Sequence, residues 1–200
     1  MTNAKISSKP PVWIRFQKKE GPMMFKNRVA LDARSIALIA TLTAVTIVFT
    51  LTMRIPFAPT RGYFTLADVG VYFTSFAFGP ITGFIVGGLG TGLADILGGY
   101  AHFAIWSFLI HGLQGLAAGY LGYRKGWAGM VAGWIAGGVA MVGGYFLVEL
   151  VLYGAGPALS EAGTINLPQV FVGGLAGLLL VSAVRRAYPQ LDMLIRPRVW

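Results

Sequence analysis

The sequence predicts an all-α integral membrane protein, a compact bundle of six transmembrane helices with both termini in the cytoplasm. Three observations carry this prediction. Of 200 residues, 56% are hydrophobic and only 12% charged, with a mean hydropathy of +0.67, whereas a globular chain carries roughly 25% charged residues. The apolar residues gather in segments near the length that crosses a bilayer as a helix, about 20 residues. The basic residues bracket those segments instead of mixing with them.

The first span is expected over residues 33–53. A second, barely long enough, covers 63–78 and stops at Gly79-Pro80, a pair that breaks a helix. The third runs over 81–97, the fourth over 101–120, the fifth over 127–151 and the sixth over 167–184. Six crossings return the chain to its starting side. Lys5, Lys9, Arg15, Lys18, Lys19, Lys26, Arg28 and Arg34 precede or open the first span. Arg124 and Lys125 follow the fourth, and Arg185, Arg186, Arg196 and Arg198 follow the sixth. Arg54 and Arg61 alone fall on the other side, so the positive-inside rule puts both termini in the cytoplasm. The outer connections are then 54–62, 98–102 and 152–166. A cytoplasmic basic or interfacial segment (1–32), a six-helix domain (33–187) and a basic tail (188–200) complete the organisation. Within the first segment, 12–28 mixes Trp13, Phe16 and Phe25 with bases, which suits an anionic lipid surface and equally a disordered tail.

The net charge of +9 is therefore topological, and no basic face with aromatic readers suggests nucleic acid. The long charged stretch before the first span argues against a cleaved leader. Cysteine is absent, which removes disulfide frameworks and thiol chemistry. The sequence contains no HExxH, no Gly-x-Ser-x-Gly and no Walker A motif, so no metal, cofactor or catalytic residue is assigned.

Small-xxx-small rows, such as Gly83 and Gly87, Gly115 and Gly119, or Gly173 and Gly177, predict close helix packing. The first span carries alanines instead: Ala33, Ala37, Ala40 and Ala44 offer a face to a partner helix. Three acids, Asp68, Asp95 and Glu149, fall in or at the ends of spans. Each costs at least about 2.5–3.5 kcal/mol at a helix centre, so such residues face the interior. In this topology they lie in the outer half, beside Asn166 and Gln169 at the start of the sixth span and Tyr145 on the fifth. Asp68 reads equally as a cap of the second helix near Thr65. On the fourth span His111 and Gln114 share one face while His102 and Trp106 lie roughly opposite. His111 and Gln114 are deep, so their face is expected to point inward; which pair faces the ligand stays open, and Trp106 reads equally as an interfacial belt residue.

The stretch Leu66-Ala67-Asp68, Phe78-Gly79-Pro80, Leu93-Ala94-Asp95 and Gly112-Leu113-Gln114-Gly115 resembles the substrate-binding (S) subunits of energy-coupling factor (ECF) transporters, in the riboflavin and hydroxymethylpyrimidine branch. Ala67 stands for the usual glycine and Gln114 for a glutamate of that pattern. The resemblance implies a protein of the plasma membrane that binds a water-soluble vitamin or precursor from outside. It implies docking on a transmembrane coupling subunit, driven by two cytoplasmic ATPases, with the alanine face of the first helix as the docking surface. Tyr63, Asp95, His102, Trp106, His111, Gln114, Tyr145, Glu149, Asn166 and Gln169 are the candidate substrate-binding residues. A polar cluster beneath an aromatic loop suits a small heterocycle, neutral or cationic, with Arg61 leaving anions open. The rival readings are a self-sufficient secondary transporter or channel, which would need an internal repeat and an ion path across both halves, an intramembrane enzyme using Asp95, Glu149 and His111, and a structural or assembly subunit without a ligand.

Overall fold

The computed structural model describes residues 33–191 and Leu194, so the segment 1–32 and most of the tail lie outside the described residues. The elements are α1 (Ala33–Thr52), a hairpin of β1 (Arg54–Phe57) and β2 (Gly62–Thr65), α2 (Ala67–Phe78), α3 (Pro80–Leu97), α4 (Ala104–Gly122), α5 (Gly126–Tyr153), α6 (Ala155–Glu161) and α7 (Leu167–Ala187). A π-helical turn, Ala162–Asn166, joins α6 to α7, so the last two helices run on as one rod of 33 residues. Among the described residues there are thus six helical rods.

Four of them are long and apolar enough to cross a membrane: Ala33–Thr52, Pro80–Leu97, Gly126–Tyr153 and Ala155–Ala187. The other two of the six expected spans fall short of that measure. Helix α2 has 12 residues, about 18 Å at 1.5 Å per residue against a hydrocarbon core of about 30 Å. Helix α4 is long enough but buries Ser107, His111 and Gln114, which lower its apolarity. The outer surface of the bundle is apolar, with Val151 84% and Val139 69% exposed. Such side chains would be costly in water and are ordinary against lipid.

Two connections also differ from expectation. Residues 63–65, read as the start of the second span, pair instead as strand β2, with Arg54 opposite Thr65 and Phe57 opposite Gly62. Aromatic and β-branched residues on both sides of a short turn, Ile55 and Phe57 against Tyr63, Phe64 and Thr65, favour this pairing. The stretch 152–166, expected as a loop, is helical almost throughout, entered through Gly154 at φ 86°.

Close backbone approach organises the centre. A Cβ on Gly87 would lie 2.6 Å from the carbonyl oxygen of His111, and one on Gly115 would strike the backbone of Gly83. Helices α3 and α4 therefore meet backbone to backbone, and Thr91 Oγ1 donates to the Ser107 carbonyl at 3.1 Å. Between α2 and α3, Gly79 at φ 92° makes the break and Pro80 opens the next helix. Helix α7 meets α2 through Gly173 and Gly177, whose missing side chains leave room for Asp68 and Tyr72. Helix α1 packs through Ser35, Thr43, Thr46 and Thr50, which leaves Ala33, Ala37, Ala40 and Ala44 exposed. An apolar cluster around Tyr72, Phe76, Ala118, Met130 and Val181 fills the end of the bundle away from the hairpin. There Arg185 donates to the Phe76 carbonyl at 2.8 Å.

Candidate functional site

Every rod but α2 contributes to one enclosed polar cavity under the hairpin. The wall takes Thr50 from α1, Gly62, Tyr63 and Thr65 from β2, and Thr91 and Asp95 from α3. Phe103, Ser107 and His111 come from α4 and the turn before it, and Met141, Tyr145 and Glu149 from α5. Glu161, Asn166 and Gln169 close it from the last rod. The cavity is narrow, about 30 Å³, space for about two water molecules. A wider groove of about 870 Å³ between α5 and α7 is lined by Trp134, Ile135, Val139, Leu167 and Phe171, with no charged side chain, and does not suit a water-soluble ligand.

Of the candidates named from sequence, Tyr63, Asp95, His111, Tyr145, Glu149, Asn166 and Gln169 line this cavity. Gln114 is fully buried one step behind it. His102 and Trp106 fall outside the wall. Helix α4 begins only at Ala104, so His102 lies in the preceding turn with its ring against Tyr100 and Phe103. Trp106 is 39% exposed on the face away from Ser107 and His111. Sequence reasoning did not include Thr50, Gly62, Thr65, Thr91, Phe103, Ser107, Met141 and Glu161. Glu161 could have been suspected, as the one acid in an otherwise apolar and small-residue connection.

The floor of the cavity is a hydrogen-bonded network. His111 Nδ1 lies 2.7 Å from Gln114 Oε1 and 3.4 Å from Asp68 Oδ1. Both neighbours are oxygens, so the proton sits on Nδ1. Gln169 Nε2 reaches Asp68 Oδ1 at 3.4 Å, while its Oε1 accepts from the Thr65 backbone N–H at 2.8 Å. Asp68 is therefore a buried member of this network and not a helix cap: α2 has no side-chain cap hydrogen bond, and Thr65 Oγ1 accepts from the Ala67 N–H.

The roof is fixed by Tyr63, whose hydroxyl donates to Asp95. Burial, and then the charge of Asp95, push the Tyr63 phenol far above its ordinary range, so it remains a donor. Arg54 braces the hairpin by donating to the carbonyls of Ala94 at 2.9 Å and Gly98 at 3.0 Å. Its guanidinium also lies over the rings of Tyr63 and Tyr100, at 4.9 and 5.5 Å. Its charge is thus used in holding the roof. Arg61 is exposed and outside the wall.

The described wall contains three carboxylates, with Asp68 beneath, and neither lysine nor arginine. Its buried side-chain atoms without a hydrogen-bond partner are Asp95 Oδ2, both oxygens of Glu149, Glu161 Oε2 and the Asn166 amide nitrogen. Four acceptors thus stand against one donor.

Fold and cavity define a multi-pass membrane protein with a polar chamber among its helices. Residues 30–186 match the family described as the S component of the ECF-type riboflavin transporter, and the chain belongs to that family. It is 33% identical over 156 residues to the thiamine precursor transporter HmpT of Lactococcus lactis, covering 78% of this chain and 90% of that protein. It is 36% identical over 117 residues to an uncharacterised protein of Pyrococcus woesei, covering 57% of this chain and 77% of that one. A solved structure described as the S component of a bacterial ECF transporter aligns with a TM-score of 0.46 at 21% identity, over 80% of this chain and 97% of the other.

Proposed function

We propose that this chain is the membrane-embedded subunit that captures a small vitamin precursor, an amino-substituted heterocycle such as hydroxymethylpyrimidine, for ATP-driven uptake by an ECF transporter. The observation that carries this reading is the excess of unpartnered acceptors in a buried wall without lysine or arginine. A neutral or cationic ring bearing N–H groups supplies the donors that this wall lacks. The similarity to a thiamine precursor transporter supports the same class of ligand. Riboflavin is the second reading, favoured by the description of the matched family.

In this reading both termini are cytoplasmic and the hairpin faces outside, as the distribution of basic residues requires. A ring enters when the hairpin swings off the cavity, breaking the Tyr63–Asp95 contact and the Arg54 brace. Binding then closes the aromatic side chains over it. The exposed alanine face of α1 docks on the transmembrane coupling subunit, whose two ATPases supply the energy that this chain has no nucleotide motif to capture. Mass spectrometry of small molecules released from the purified chain tests the assignment. Recovery of an aminopyrimidine supports it, recovery of riboflavin selects the second reading, and recovery of an organic anion contradicts both.

A further inference from the structure

The carboxylates of the wall do not stand alike. Asp95 receives the Tyr63 hydroxyl, and Asp68 lies in the floor network with His111 and Gln169. Glu149 and Glu161 have no such arrangement. Glu149 is fully buried and Glu161 is 3% exposed; both line the cavity, and the two side chains interact electrostatically. Neither oxygen of Glu149 has a partner, nor has Oε2 of Glu161. Beside them, on a side chain 3% exposed, lies the Asn166 amide nitrogen, which interacts with Glu149 but falls short of a full hydrogen bond.

Other polar groups of the wall are committed elsewhere. Thr50 and Thr91 hydroxyls donate to backbone carbonyls, as does that of Thr65. Ser107 and Tyr145 bond each other at 2.7 Å. The hairpin sits directly on Glu161, because a Cβ on Gly62 would overlap its carboxylate. Two adjacent buried carboxylates with one amide donor are poorly compensated by the protein alone. A cationic nitrogen between them would donate hydrogen bonds to both and offset their mutual repulsion. A phosphate brought to the same place would meet like charge in a poorly solvated wall.

We propose that Glu149 and Glu161, with Asn166 beside them, form a charge-selecting subsite that grips a cationic or amino nitrogen of the ligand and excludes phosphorylated forms of the same molecule. This rests on the vitamin-precursor reading for the identity of the ligand, and on the geometry of the pair for its charge.

The test uses the full chain in lipid nanodiscs, titrated calorimetrically with hydroxymethylpyrimidine and with its phosphate ester. Melting temperatures are measured on the same samples. Glu149→Gln and Glu161→Gln, which keep side-chain shape, should each weaken binding of the alcohol about tenfold. The double variant should be little worse than either, because the two act as one unit. The phosphate ester should bind the natural chain about a hundredfold more weakly than the alcohol, a gap that narrows in the double variant. Unchanged affinity in both single variants, or an unchanged gap in the double one, overturns the proposal. If the natural chain binds neither compound, the thiamine-precursor reading fails, and the subsite is tested with aminopyridinium as a bare planar cation. A rise in melting temperature with the natural chain and none with the double variant supports the subsite, and an equal response in both overturns it.

Discussion

Asp68 shows how much a single buried carboxylate can organise. Its Oδ1 lies within 3.4 Å of both His111 Nδ1 and Gln169 Nε2, which join α4 and α7 to the start of α2. Asp68→Ala should lower stability by about 1–3 kcal/mol, the scale for stranding buried partners, read as a fall in melting temperature in nanodiscs. Tyr63→Phe differs, because it removes only the hydroxyl that holds the hairpin to Asp95. It should leave the melting temperature within a few degrees and shorten the residence time of the ligand, measured by stopped-flow release. An unchanged release rate would show that the hairpin is not the roof. These roles were partly legible beforehand. An acid in an apolar span signals an interior position, and Asp68, Asp95 and Glu149 are all buried. Sequence spacing turned His111 and Gln114 inward but could not say whether they or His102 and Trp106 line the site, because it began the fourth helix three residues early, at 101 instead of Ala104. The cavity wall takes His111 and neither His102 nor Trp106.

At the scale of the element, the glycine rows of α3 and α4 set the depth of the site. Gly87→Leu would drive a side chain into the His111 carbonyl, 2.6 Å from the Cβ position. The helices would separate, and both melting temperature and ligand binding should fall together. A variant that melts normally would mean that the α3–α4 contact is easily repacked. Helix α1 makes the opposite prediction. Ala40 is exposed and away from the cavity wall, so Ala40→Trp should leave melting temperature and affinity unchanged while abolishing assembly with the coupling subunit in pull-down. Retained assembly would place the docking face elsewhere. Helix positions were legible in the apolar runs, within a few residues at most ends. The hairpin and the α6–α7 rod were not. Four-residue strands carry too short a pattern, and the glycine and proline of Gly154-Ala155-Gly156-Pro157 read as a loop although Pro157 sits in the first turns of α6, where its missing N–H is tolerated.

For the whole molecule, the family follows from the match over residues 30–186, and the cavity gives it a chemical direction. The chamber is acidic, closed by a braced hairpin, and framed by helices whose outer surfaces are apolar. Composition alone identified a membrane protein, because the deficit of charge leaves no alternative solvent for these surfaces. It could not identify Glu161 as a member of the site, since that depends on 155–166 being helical and continuous with α7, which brings Glu161 to the wall beside Asn166. The central claim is that this chain alone forms a complete binding site. The most direct test is calorimetric titration of the full chain in nanodiscs with hydroxymethylpyrimidine, without ATP and without any coupling subunit. The account predicts saturable binding of one ligand per chain, unchanged when ATPase subunits and nucleotide are added. Binding that appears only after those subunits are supplied would contradict it.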